Sequence, residues 1–425
     1  MKMKKIVALG LAGSLVAGML AGCSGKGDEA SGKADSGVTE LELFSSKMEN
    51  VSTLQSLVDS FNEQNPDIKI TLNAPADAGT VLKTRMTKDD LPDILAYGGD
   101  NRYTELTDVG VLVDLSDEDF IKTINPSYMN MLYQINADRD EKAYGAPFAT
   151  NASGVIYNVD LFKEAGVEVP ATWDEFMEVC ETLKNAGIQP FEFTFKDGWT
   201  TLLSWNAMAA DLQPENFLFD RMDGKTTFTG THEEVLEKYL QVIQYGQADY
   251  MGTSYDDGNR NFANGSAAML INGSWTVPEL KKTNPDINLD MFAYPTTNDE
   301  AKNLTASGID VLLAVTTQCK NPEAAKKFVS FMLQPENSQQ YMEEQFAFSP
   351  VEGVMQEDES VASLAKNITD GKVVDFSDHY YPSGYDLAAI LSEFFLNREN
   401  GMADQENIEA TLKKCDEQYD ILNVN

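Results

Sequence analysis

The sequence predicts an α/β fold with room for two hydrophobic cores. Two observations carry this. Strand-like and helix-like stretches alternate along the chain. The chain is also long enough, at 425 residues with 42% hydrophobic content, to bury two cores of ordinary size more readily than one. After Cys23 no apolar run is long and uninterrupted enough to cross a membrane.

The first 22 residues stand apart from that fold. Lys2, Lys4 and Lys5 precede an apolar run from Ile6 to Leu20, which closes on Leu20-Ala21-Gly22-Cys23. A basic start, a short apolar stretch and small residues before a cysteine form a bacterial lipoprotein signal. Cleavage before Cys23 and acylation of its thiol and freed amine are expected, giving a signal peptide over 1–22 and a membrane tether made of lipid. Residues 23–38, rich in Gly, Ser, Ala and charge, read as a flexible stalk.

The alternation begins at Thr39-Phe44, whose polar and apolar residues alternate as in a strand. Leu54, Leu57, Val58 and Phe61 then fall at helical spacing in Val51-Asn62, and Pro66 ends that helix. Ile68-Leu72 and Pro92-Tyr97 are the next strands, and the rhythm implies a largely parallel sheet. Gly154-Tyr157 is a short strand leading to a helix at Asp160-Ala165. Thr172-Trp173-Asp174-Glu175 is a capping box, in which Thr172 and Glu175 satisfy each other's free backbone donors. The helix it opens buries Phe176, Val179, Cys180 and Leu183 and ends at Gly187. Gly308-Val315 is a buried strand, Asn321-Pro322 starts the next helix, and Asp386 to Tyr419 reads as two helices.

Charge and composition exclude several functions. Loss of the three leader lysines moves the net charge from −36 to −39, so nucleic acid and anionic membrane surfaces are repelled and no nucleic-acid partner is expected. No metal signature and no cofactor motif occurs: the two histidines, His232 and His379, lie far apart, and no Cys-x-x-Cys is present. Nor does a Gly-x-Ser-x-Gly accompany them. Cys180, Cys319 and Cys415 permit at most one disulfide.

Three clusters, in this order behind a lipobox, resemble one family. The first is Tyr144-Gly145-Ala146-Pro147, then Gly154 to Phe162, then Pro170 to Phe176; the second is Phe262 to Met269 leading to Asn272-Gly273-Ser274-Trp275; the third is Asn321-Pro322-Glu323-Ala324-Ala325. The chain resembles the family 1 extracellular solute-binding proteins of ABC importers, the maltose-binding-protein-like group, from Thr39 to about Tyr419. The resemblance implies a two-lobed periplasmic-binding-protein type II fold with discontinuous lobes and a multi-crossing hinge: 39–150 with 308–347, and 151–307 with 348–425. Crossings are expected near Ala149-Ser153, Thr305-Gly308 and Phe346-Pro350. It implies a carbohydrate ligand, an oligosaccharide above all, ABC transporter permease subunits as partners, a monomer, no enzymatic activity, and a location outside the cytoplasm on the cell membrane.

A sugar presents hydroxyls at its edges and apolar C–H groups on its faces, so its cleft needs aromatic faces and charged or amide acceptors. Trp275 ends the Asn-Gly-Ser-Trp motif and is assigned to ligand, a core tryptophan being the alternative. Trp199 reads as either ligand or packing; Trp205 and Trp173 read as packing. Loops at the C-terminal ends of strands select Ser45, Ser46, Glu49 and Asp100, although helix capping or turn chemistry would explain the same residues. Asn151 and Asp310 lie at expected crossings, where they bind sugar or only fix the hinge. Tyr381 and Tyr385 belong to the tyrosine-dense loop Tyr380 to Tyr385 and are a second aromatic candidate. Competing readings are a lipid-anchored carbohydrate-active enzyme with a carboxylate pair, a binding protein for a polyamine or metal chelate, and an adhesion lipoprotein.

Overall fold

The computed structural model describes residues 37–423. The signal peptide, Cys23 and the stalk up to residue 36 lie outside the described residues.

Eight strands form one sheet: β1 (Thr39–Ser45), β2 (Ile68–Asn73), β3 (Ile94–Tyr97), β4 (Ala146–Asn158), β5 (Met269–Gly273), β6 (Leu289–Phe292), β7 (Thr305–Val315) and β8 (Val373–Val374). Their order is β2-β1-β3-β7-β4-β5, with β6 also on β4 and β8 on β7. β1 pairs in parallel with β2 and β3, because helices cross over between them. The expectation of a largely parallel sheet fails beyond that point. β3–β7, β4–β7, β4–β5 and β4–β6 are all antiparallel. β7 arrives after a long excursion of the chain, so no single crossover helix fixes its direction.

β4 is longer than the sequence suggests, absorbing Ala146-Pro147-Phe148 as well as Gly154-Tyr157. Pro147 cannot donate to a ladder and sits where the β4–β7 register shifts, a position that tolerates proline. The register then runs through Thr150↔Ile309, Asn151↔Gly308 and Ser153↔Ala306. Phe348 exchanges both backbone hydrogen bonds with Thr150, at 2.8 and 2.9 Å. The three stretches expected as crossings therefore run side by side.

Apolar periodicity builds two cores around this sheet. β1, β3, β7 and the first half of β4 pack with the Val51–Gln64 and Pro322–Met332 helices in one cluster, where Phe61 meets Phe328 and Phe331 edge-on. In the second half of β4 the strand pleat divides the two faces. Ile156 joins that cluster, while Val155 and Tyr157 join a second one, rich in aromatics, with Phe176, Trp205, Tyr239 and Phe395.

Local signals behave as the residues dictate. Thr172 and Glu175 form the capping box, and the Trp173–Asn185 helix buries Phe176, Val179, Cys180 and Leu183. Asn321 caps the Pro322–Met332 helix by accepting from Ala324 N–H. Two helices, Leu387–Glu399 and Asp404–Leu422, follow Asp386. Cys180, Cys319 and Cys415 are free and buried. No helix among the described residues is long and apolar enough to cross a membrane.

Candidate functional site

The turn after β1 sets one wall of the site. Ser45 is buried, and its hydroxyl accepts from Lys47 N–H at 3.2 Å, which turns the chain so that Lys47 and Glu49 face β7. Asn50 anchors the turn by donating from Nδ2 to the Tyr341 hydroxyl at 2.8 Å. Lys47 Nζ reaches Asp310 Oδ1 at 2.5 Å, with Glu49 Oε1 at 3.7 Å. Asn151 Nδ2, from the neighbouring strand, donates to the same Asp310 oxygen at 3.2 Å.

The opposite wall follows β5. The Trp275 ring folds back over Gly273, where a Cβ would lie 2.0 to 2.3 Å from ring carbons, so glycine is what lets the ring take this position. Tyr255 stands beside it, sharing a 2.9 Å hydrogen bond between its hydroxyl and Thr276 Oγ1. Between these walls is a cavity of about 480 Å³, lined among others by Lys47, Glu49, Asn151, Tyr255, Trp275, Glu279 and Asp310. Asn151 Oδ1 and Asn272 Nδ2 are buried with no hydrogen-bond partner, an arrangement that stays costly until a ligand or water supplies one.

Of the ten residues expected at a cleft, Glu49, Asn151, Trp275 and Asp310 line this cavity. Trp199 is 42% exposed and lies against Tyr255 with ring centroids 5.2 Å apart, one residue behind the lining. Ser45 supports the wall from beneath, and Ser46 is tied by its backbone to Ala96. Asp100 takes the capping role: it accepts from Arg102 N–H and pairs with the Arg102 guanidinium. Burial would raise the Asp100 carboxyl, but Arg102, with His379 further off, holds it below the ordinary value.

Tyr381 and Tyr385 sit elsewhere. Tyr381 is buried and accepts from Trp205 Nε1 at 3.3 Å. Tyr385 stacks on Phe228 and donates to the Cys415 carbonyl at 3.2 Å. These two rings join the second core, each hydroxyl finding a partner there, while Tyr380 of the same loop joins the first. Tyr381 borders a different cavity, of about 330 Å³, that includes Arg139 and His379; the cavity at Trp275 combines a half-buried aromatic with the unpartnered Asn151 Oδ1.

Sequence reasoning missed Lys47, Tyr255 and Glu279. Lys47 lies between two residues it did select, so the loop itself was the signal. Tyr255 and Glu279 come from helices that tertiary packing alone brings to the cleft. It also missed a charged pair behind the site: His379 Nδ1 is 2.8 Å from Asp375 Oδ1, and both press on Gly308 of β7, where a Cβ would meet His379 Cε1 at 2.7 Å.

The fold recurs in known structures. The apo form of RafE from Streptococcus pneumoniae aligns with a TM-score of 0.79 at 26% identity, covering 91% of this chain and 100% of that one. The fold is the two-lobed α/β type II fold of solute-binding proteins. The family of bacterial extracellular solute-binding proteins matches residues 45–339. The chain belongs to that family. Among curated relatives it is 29% identical over 413 residues to the multiple sugar-binding protein of Streptococcus mutans, covering 94% of this chain and 96% of that one. It is 24% identical over 346 residues to the melibiose/raffinose/stachyose-binding protein of Bacillus subtilis, covering 78% of each.

Proposed function

We propose that this protein is a lipid-anchored receptor outside the cytoplasm that captures an oligosaccharide between two lobes and delivers it to an ABC transporter permease. The observation that carries this is the cavity at Trp275, where a flat aromatic shares the lining with the unpartnered Asn151 Oδ1 and with the Glu49, Glu279 and Asp310 carboxylates, beside the strands shared by both cores. The lobes would be 39–150 with 308–347, and 151–307 with 348–425. Closure by bending where the segments of Asn151, Gly308 and Phe348 run side by side would bring Trp275 and Lys47 onto opposite sides of the ligand. The names of the relatives, which are sugar-binding proteins rather than enzymes, support a sugar as cargo and transport as the purpose. The lipobox at Cys23 supports the anchor.

The test is calorimetry on residues 24–425 with melibiose, raffinose, stachyose and unrelated oligosaccharides. Saturable binding without change in the sugar is expected. Trp275→Ala would weaken it by about 2 kcal/mol, roughly thirtyfold, through loss of aromatic contact area. Turnover of the sugar, or undiminished binding by the variant, would overturn the reading.

A further inference from the structure

Among the described residues lining the Trp275 cavity, four carry charge: Lys47, Glu49, Glu279 and Asp310. The only cation, Lys47, is already engaged by Asp310 at 2.5 Å, with Glu49 nearby. Asp310 Oδ1 holds Asn151 Nδ2 as well, so one of that amide's two N–H donors is also engaged. Two other lining amides each commit one N–H in the same way, Asn50 Nδ2 to Tyr341 and Gln345 Nε2 to Thr53. The donors that remain are neutral, on amides, hydroxyls and the Trp275 indole, while the open acceptors include the buried, unpartnered Asn151 Oδ1, the second oxygen of Asp310, and the Glu49 and Glu279 carboxylates.

Such a wall receives hydroxyl donors and opposes negative charge. A carboxylate or phosphate on the ligand would add acceptors where acceptors already lack partners. It would also meet two carboxylates in excess of the one lysine. Recruiting Lys47 to it would strip Asp310, whose side chain is only 20% exposed, of its counter-ion.

We propose that Lys47 is a positioning residue that holds Asp310 and Asn151 in place, not an anion receptor, and that the cavity rejects sugars bearing a carboxylate or phosphate. This rests on the saccharide reading above. Two uncompensated charges within the cavity's span correspond to roughly thirtyfold or more in affinity at an effective dielectric near that of a protein surface.

The test compares raffinose with raffinose oxidised at C6 of its galactose to the carboxylate, by calorimetry at pH 7. The expected result is binding of raffinose and at least roughly thirtyfold weaker binding of the acid, the gap shrinking in a Glu49→Gln, Glu279→Gln double variant. Lys47→Met should weaken raffinose itself, and Lys47→Arg should restore most of that loss. If Lys47 were an anion receptor, Lys47→Met would weaken the acid alone. Equal affinity for the two sugars, or an unchanged gap in the double variant, overturns the charge argument and leaves the saccharide reading standing. Binding of the acid alone does the same. If raffinose, stachyose and melibiose and their acids are all silent, the saccharide reading falls and this inference with it.

Discussion

Replacing His379 by glutamine removes a titrating charge from beneath β7 while keeping a hydrogen-bonding side chain beside Asp375. Burial alone would depress this histidine, but Asp375 at 2.8 Å, with Asp378 and Asp100 nearby, outweighs it and lifts the imidazole to about 9. In the unfolded chain it would titrate at about 6.5. The folded state therefore binds the proton more tightly, and the resulting stability is fully present below pH ~6.5 and lost as pH rises through ~9. A shift of that size corresponds to on the order of 3 kcal/mol. Unfolding entropy scales with chain length, to roughly 0.8 kcal/mol/K for the roughly 390 folded residues, so the stabilisation appears as about 4 °C in Tm. The assay is thermal unfolding of wild type and His379→Gln in matched buffers from pH 5.5 to 9.5, reading the difference in Tm. Subtraction removes the titration of every other group. The difference should be largest near pH 6 and shrink by about 4 °C by pH 9.5. A difference that stays constant across this range would refute the reasoning, because the interaction would then owe nothing to charge.

The other histidine has the opposite sign. His232 is fully buried against Trp205 and is driven down to about 3 by desolvation, so its contribution is present above pH ~6.5 and is lost progressively as pH falls from there through about 3; His232→Gln should flatten the acid limb of the same Tm profile. Gly273→Ala should leave the fold intact, its φ of −98° being open to alanine, yet push the Trp275 ring away and cut oligosaccharide affinity at least tenfold in calorimetry. Gly154→Ala should be far worse for stability, since its Cβ would lie 2.5 Å from the Phe292 carbonyl across the β4–β6 ladder; a loss of roughly 3 kcal/mol or more in denaturant unfolding is expected, with unchanged stability the contrary result. Thr172→Ala removes half of the capping box and should cost about 1 kcal/mol in the same measurement.

Elements with a strong local period were legible in the sequence. The Val51–Gln64 helix and the capped Trp173–Asn185 helix needed only spacing and a cap. β4 was only partly legible, because Pro147 and the run Asn151-Ala152-Ser153-Gly154 look like loop when read locally. Those small residues suit a strand on which other backbones close in: a Cβ on Gly154 would strike a carbonyl. At the site, residues next to motif signals were found, as with Trp275, while Tyr255 was not, because the helix carrying it has no local mark of facing a cavity. The tyrosine loop lies away from this cavity for a related reason. Its composition suits a binding surface, but its neighbours, Phe228, Trp205 and Tyr419, offer an apolar home that only the folded chain reveals.

β7 lies between β3 and β4 in the middle of the sheet, and its contact with β4 joins residues 159 positions apart, as between Asn151 and Asp310. A chain synthesised or threaded from its N-terminus thus carries β3 and β4 with open edges until residue 315 becomes available. Closing so distant a pair is slow, since the loop entropy is lost before any contact rewards it. Placing the central strand late makes completion of the first 150 residues wait on the last third of the chain, and leaves the inner edges of β3 and β4 unpaired for that interval.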